Sequence, residues 1–144
     1  MPVIRPLTSS DREQWQGLWS GYLRFYRARL SSEITDLAFS RLIDPSQQPH
    51  GLVAEQDGRL LGFAHYLFHR SSWSASEVCY LEDLFVDPAV RGAGSGRALI
   101  QAVYAIADRA KASSVYWMTQ EFNSDARALY DTVAHRTSFI RYER

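Results

Sequence analysis

The chain has one cysteine, Cys79, so an internal disulfide and a cysteine-based metal cluster are both excluded. It has one lysine, Lys111, which follows no glycine-rich stretch, so a phosphate loop of the Gly-Lys-Ser/Thr kind is excluded as well. It has no net charge: sixteen basic residues balance sixteen acidic ones, which argues against nucleic-acid binding through overall positive charge. No apolar run approaches the ~18 residues that span a bilayer, and Met1–Pro6 lacks the apolar core of a secretory signal. Repeats, linkers and low-complexity segments are also missing. The expectation is a single cytoplasmic domain over residues 1–144 with no membrane and no nucleic-acid partner. At 46% hydrophobic and 13% aromatic, the chain has what it needs for a packed core.

The most informative stretch runs from Tyr80 to Ile100, YLEDLFVDPAVRGAGSGRALI. Tyr80–Val86 reads as a buried strand interrupted only by Glu82 and Asp83, and Asp87-Pro88 ends it. Arg91-Gly92-Ala93-Gly94-Ser95-Gly96-Arg97 then feeds a segment whose apolar residues recur at helical spacing up to about Ala110. A glycine-rich turn at a helix N-terminus lets backbone N–H groups approach an anion, and the helix dipole adds to the attraction. With two flanking arginines the turn reads as a pyrophosphate cradle. The dinucleotide pattern G-x-G-x-x-G fails, because Arg97 stands where the third glycine is needed. Arg-x-x-Gly-x-Gly fits on Arg91, Gly94 and Gly96.

Around this stretch the chain alternates helical and strand-like patterns. Val3–Leu7 is an edge strand because Pro6 cannot donate to a ladder. Ser10 and Glu13 form a capping box that opens a helix reaching about Arg29, with Trp15, Leu18, Trp19, Tyr22, Leu23, Phe25 and Tyr26 on its apolar stripe. These read mainly as core, with one or two free to line a cleft. Ser31 or Ser32 caps a second helix whose apolar side carries Leu37, Ala38, Leu42 and Ile43. Gly51–Glu55 and Arg59–Phe68 are strands joined by Asp57-Gly58. Ser113–Thr119 is another strand, Asp125–Ala134 the last helix, with His135 at its C-cap, and Ser138–Tyr142 a final strand. The order β-α-α-β-β-β-α-β-α-β predicts a mixed α/β, largely antiparallel sheet with helices on both faces.

A second group lies on one face of the last helix: Asn123 at its cap, then Ala126 and Tyr130 four residues apart. Packing alone accounts for them in isolation. Adjacent strand residues face opposite sides, so only one of Glu82 and Asp83 points into a site unless a bulge intervenes.

The Arg91–Gly96 loop, the strand before it and the helix after it resemble the acetyl-CoA loop of the GNAT superfamily of N-acetyltransferases. The element order is that of the superfamily too. Tyr80-Leu-Glu-Asp-Leu-Phe-Val86 is similar to diamine and spermidine acetyltransferases, whose Tyr-Leu-Glu-Asp strand supplies substrate acids. The half from Ser114 to Tyr142 is similar to the fungal histone, polyamine and D-amino-acid acetyltransferase group. The resemblance implies acetyl-CoA as co-substrate and no metal. It implies that Arg91, Gly92, Ala93, Gly94, Ser95, Gly96 and Arg97 hold the pyrophosphate, that Leu84, Phe85 and Val86 pair with the pantetheine arm, and that Asn123 and Ala126 lie beside it. Tyr130 is implied as the acid toward the departing thiolate. Glu82 is the expected base or water-positioner, and Glu33, Asp36, Glu82, Asp83 and Glu121 are expected to make the cleft negative for a polyamine or other small cationic amine. Two other acceptors of the reading remain open: a protein or peptide acetyltransferase, and a non-catalytic acetyl-CoA-binding module. A homodimer is usual in similar enzymes. The chain departs from the family's usual Gly-Phe pair after the last helix, having Ala134-His135-Arg136 there.

Overall fold

The structure, a computed structural model, describes residues 1–144. Its strands are β1 (Val3–Pro6), β2 (His50–Gln56), β3 (Arg59–His69), β4 (Val78–Val86) and β5 (Val115–Tyr116). Its helices are α1 (Arg12–Phe25), α2 (Ser32–Leu42), α3 (Ser95–Arg109) and α4 (Ser124–Val133). The sheet runs β1-β2-β3-β4-β5, antiparallel except for the β4–β5 pair. β1 is at the edge, as its proline requires. No helix is long and apolar enough to cross a membrane.

Each face of the sheet carries its own core. On one side Trp15, Leu18 and Trp19 of α1, with Phe39 and Leu42 of α2, pack on Val53, Phe63 and Phe85. On the other, Leu99, Ile100, Val103 and Ala107 of α3 pack on Leu52, Ala64, Cys79 and Leu81, with Leu129 and Tyr130 of α4 against them. Two glycines set the spacing. A Cβ on Gly21 would lie 3.1 Å from the Phe85 ring, so α1 closes directly onto β4. A Cβ on Gly62 would lie 2.5 Å from the Phe85 carbonyl oxygen, where no side chain fits without displacing β4. Gly62→Ala is therefore expected to destabilise by roughly 1–3 kcal/mol, read as a lower midpoint in thermal or urea unfolding.

Several expectations need correction. α1 stops at Phe25, short of Arg29. After Tyr26, Arg27 turns left-handed (φ 53°), and the Ala28 N–H reaches back to the Leu23 carbonyl. The entry to α1 uses Thr8 and Asp11, the Thr8 N–H donating to the Asp11 carboxylate at 2.8 Å, in place of Ser10 and Glu13. Arg5 holds that carboxylate with two bonds of 2.8 Å and reaches Glu55 on β2, tying the helix start to the sheet. Ser31 caps α2 as expected, accepting from the Ile34 N–H, but α2 buries Thr35, Phe39 and Leu42 and leaves Leu37 out. β5 spans only two residues of the predicted seven, because Cys79 and Tyr80 are its only partners on β4. The final strand at Ser138–Tyr142 does not form. Beyond Ala134 the backbone makes no hydrogen bond to other backbone, and Phe139, Ile140 and Tyr142 lie on the surface. Ala134, in extended geometry, takes the C-cap position of α4 expected for His135.

Candidate active site

The turn between β4 and α3 has the geometry its glycines allow. Asp87 accepts from the Ala89 N–H at 3.0 Å and nucleates a single helical turn over Pro88–Val90. Gly92 and Gly94 both sit at φ +89°, a left-handed conformation that glycine adopts without penalty. Gly94 is the N-cap residue of α3, and no side chain caps that end, so the first N–H groups stay available to a ligand. Nothing lies within 4 Å of where a Cβ would stand on either glycine, so the space above the turn is open. The Ser95 hydroxyl is buried at the first position of α3 with no hydrogen-bond partner. An open glycine turn, an uncapped helix end and an orphaned hydroxyl fit an anionic ligand such as pyrophosphate. Gly96 serves packing: a Cβ there would meet Leu129 of α4 at 3.1 Å. Arg97 donates to Thr132 of α4 at 2.9 Å, and Arg91 folds back, donating to the Val86 carbonyl at 3.1 Å with its guanidinium 5.6 Å from the Phe85 ring centre. Ala93 is exposed at the tip of the turn.

β4 supplies the floor. β5 pairs with Cys79 and Tyr80 alone, so Leu84, Phe85 and Val86 have no strand partner on the edge away from β3. Such an edge offers backbone donors and acceptors to an extended ligand. The pairing with β3 jumps from His65↔Asp83 to Tyr66↔Leu81, making Glu82 a bulge residue. Leu81 and Leu84 both pack on the α3 side. The two carboxylates between them, Glu82 and Asp83, therefore leave the sheet on the same, α1-facing side. The bulge the sequence left open is present, and it brings both acids together.

Their environments differ. Asp83 Oδ1 accepts from the Tyr22 hydroxyl at 2.7 Å, and Oδ2 bonds His65 Nδ1 at 2.9 Å. Glu82 makes no hydrogen bond, and its tip reaches solvent. Protein crowding around the rest of it, then repulsion from Asp83, raises its carboxyl above the usual range, while His65 opposes the rise. Tyr22, Tyr26 and Tyr80 all titrate above the ordinary phenol value, chiefly through burial and secondarily through the charge of the acid pair. These three rings and the two acids form one aromatic and acidic cluster.

α4 supplies the opposite wall. Tyr130 packs on Trp117 with ring centres 5.4 Å apart. Burial pushes its phenol up to about 12, Tyr26 adds to the rise, and Arg91 opposes it. Ala126 is half-buried one turn earlier. Asn123 occupies the N-cap position, but its amide donates to Thr119 Oγ1 at 3.3 Å instead of capping the first turn. A depression of about 210 Å³ lined by Phe25, Phe122 and Asn123 joins the end of α1 to the start of α4.

Not every expected acid joins this cluster. Asp36 is bonded to Arg12 at the start of α1, nearly three helical turns from Tyr22, and Glu33 is exposed in the first turn of the same helix α2. Glu121 is exposed and faces Arg136 at 3.5 Å. Of the cluster and its support, His65 had no role assigned from sequence, and Trp15, Tyr22 and Tyr26 read mainly as core, with one or two free to line a cleft. One signal was there, a histidine in the middle of the apolar run Leu60–Phe68.

The β4 edge left free beyond Tyr80, the open glycine turn beside it, and a carboxylate and a phenol in the same region could hold an extended anionic ligand next to proton-handling groups. Residues 12–134 match the acetyltransferase (GNAT) family, and the chain belongs to that family of N-acetyltransferases. It is 38% identical over 144 residues to the D-amino-acid N-acetyltransferase HPA3 of Saccharomyces cerevisiae, covering 99% of this chain and 89% of that protein. It is 33% identical over 95 residues to a thialysine N-epsilon-acetyltransferase of Sus scrofa, covering 60% of this chain and 55% of that one. Among solved structures, the aminoglycoside N-acetyltransferase AAC(6')-Iy in complex with CoA superposes with a TM-score of 0.85 at 20% identity, over 100% of this chain and 94% of that one.

Proposed function

We infer that the chain is one N-acetyltransferase domain that moves the acetyl group of acetyl-CoA onto the primary amine of a small cationic acceptor. The observation that carries this reading is the bulge at Glu82, which sets two carboxylates among Tyr22, Tyr26 and Tyr80, next to an open glycine turn and a free strand edge. Anionic and aromatic walls attract an ammonium group.

The chemistry follows from the proton balance. An alkyl amine with an ordinary value near ~10.4 arrives protonated and unreactive. Glu82, unbonded and raised, takes a proton directly or through one water, and the free amine attacks the thioester carbonyl carbon. Charge grows on the carbonyl oxygen, and the backbone N–H of Leu84, which points away from β3, is the donor for it. The nitrogen gives up its remaining excess proton to solvent as the carbon–sulfur bond breaks, and Tyr130 donates a hydrogen bond to the leaving sulfur, which solvent then protonates. A phenol near 12 gives its proton fully to a thiolate of ordinary value near 8.5 only at a cost of roughly 5 kcal/mol. Tyr130 is thus a hydrogen-bond donor to the departing sulfur more than a source of a free proton.

A second reading, a D-amino acid as acceptor, is favoured by the 38% identity to HPA3 across nearly the whole chain. Measuring kcat/KM for polyamines, D- and L-amino acids and lysine peptides separates the two. Polyamines ahead by about 10-fold or more support the first, D-amino acids ahead by that margin replace it with the second, and preference for lysine peptides makes the protein a peptide acetyltransferase. Glu82→Gln is expected to lower kcat/KM about 100-fold at neutral pH. That defect narrows as the pH rises toward the amine's own value, because solution then supplies the free amine. A defect constant across pH would take the base role from Glu82. The same reading places the enzyme in the cytoplasm as a homodimer, with the exposed Phe139, Ile140 and Tyr142 against a second copy. Light scattering of the purified chain reads the dimer directly.

A further inference from the structure

Behind the acid pair lies a buried chain of hydrogen bonds that the transfer chemistry above does not use. The Trp15 indole N–H donates to His65 Nε2 at 3.2 Å, and His65 Nδ1 bonds Asp83 Oδ2 at 2.9 Å. Trp15 is 0% exposed and His65 2% exposed. An indole nitrogen can only donate, so Nε2 must be the acceptor and the ring proton must sit on Nδ1, from which it donates to Asp83. The Phe63 ring stacks on the imidazole at 4.4 Å and 14°, fixing its plane. The second Asp83 oxygen accepts from Tyr22 at 2.7 Å.

A carboxylate offers about four lone-pair sites, of which two are taken by donors from inside the protein. The side chain keeps 13% exposure, which leaves room for a further donor. Two protein donors hold the Asp83 carboxylate in place, whereas Glu82 has none. We propose that Trp15 and His65 are positioning residues for the acetyl acceptor: Trp15 fixes the His65 tautomer, His65 and Tyr22 fix the Asp83 carboxylate, and Asp83 orients the acceptor's ammonium group while Glu82 handles its proton. This rests on the acetyl-transfer reading and adds a division of labour to the acid pair. The indole of a core helix thereby helps to set acceptor affinity from the same face of the sheet.

The test uses the full-length enzyme. Nitrogen NMR of labelled histidine should show the wild-type His65 ring with its proton on Nδ1 and a bare Nε2. His65→Leu removes one donor from Asp83 and is expected to raise the acceptor KM about 10-fold or more, with the acetyl-CoA KM unchanged. His65→Gln, whose amide can accept from Trp15 and donate to Asp83, is expected to keep the acceptor KM within about 3-fold of wild type by the same count of bonds. Trp15→Phe frees the tautomer and is expected to fall between them, and it stands in should His65→Leu fail to fold. A proton on Nε2 in the wild type, an acceptor KM unmoved in an active His65→Leu enzyme, or equal rises in both KM values would overturn the relay. No acceptor turnover by the wild type would instead overturn the acetyl-transfer reading itself, and with it the role given to Asp83.

Discussion

Tyr130→Phe is expected to lower kcat about 100-fold while leaving the KM for acetyl-CoA close to the wild-type value. The phenol is half-buried against Trp117, and its ring is retained in the variant, so packing and the α4 backbone are preserved. Only the hydroxyl is lost. Acid assistance in a transition state is commonly worth ~10²–10⁴ in rate. A phenol held near 12 belongs at the lower end of that range, because complete transfer to a thiolate is uphill. A steady-state comparison of thiol release with one good amine checks this. A kcat within about 3-fold of wild type, far below that range, would mean that sulfur leaves without help from Tyr130.

Phe63→Ala is expected to be the most damaging single core truncation, with a loss of roughly 3–5 kcal/mol. Phe63 is 0% exposed and touches four aromatic rings: Trp19, Tyr22, His65 and Phe85. A domain of this kind has only about 5–15 kcal/mol in all. The unfolding midpoint should fall by roughly 10 °C, as read by circular dichroism. Because the ring also fixes the plane of His65, activity at low temperature should fall further than the remaining folded fraction explains. A midpoint shift below about 3 °C would show that the α1 face closes over the void, a collapse that reduces the cavity cost.

The strand–glycine turn–helix unit was legible because its signals are local. Strand, Asp-Pro stop, glycines at 92 and 94 and the α3 periodicity all lie within about twenty consecutive residues, and each acts through backbone geometry that the residue type dictates. The Asp57-Gly58 hairpin and the edge position of β1 were legible for the same reason. The acceptor side was not, because it is made by register. Glu82 and Asp83 share a face only through a one-residue slip against β3, and no local preference at either position encodes that slip. His65, Trp15 and Tyr22 meet Asp83 from β3 and α1, at separations that periodicity cannot see. Tyr22 read as one member of an apolar stripe, and its hydroxyl gained meaning only once Gly21 let the helix close onto β4. The last strand was misjudged for a related reason. Ser138–Tyr142 has strand-forming side chains, but a strand also needs a partner edge, and β5 pairs at only two residues.

The most direct test of the account is single-turnover transfer from acetyl-CoA carrying an isotopically labelled acetyl group to a saturating small amine, followed by mass spectrometry of the amine. The account predicts that the label appears on the amine nitrogen with one thiol released per acetyl moved, and that Glu82→Gln slows this step at neutral pH without weakening acetyl-CoA binding. Tight acetyl-CoA binding with no labelled product from any amine class, and no thiol released, would contradict it and leave the glycine turn as the site of a binding module alone.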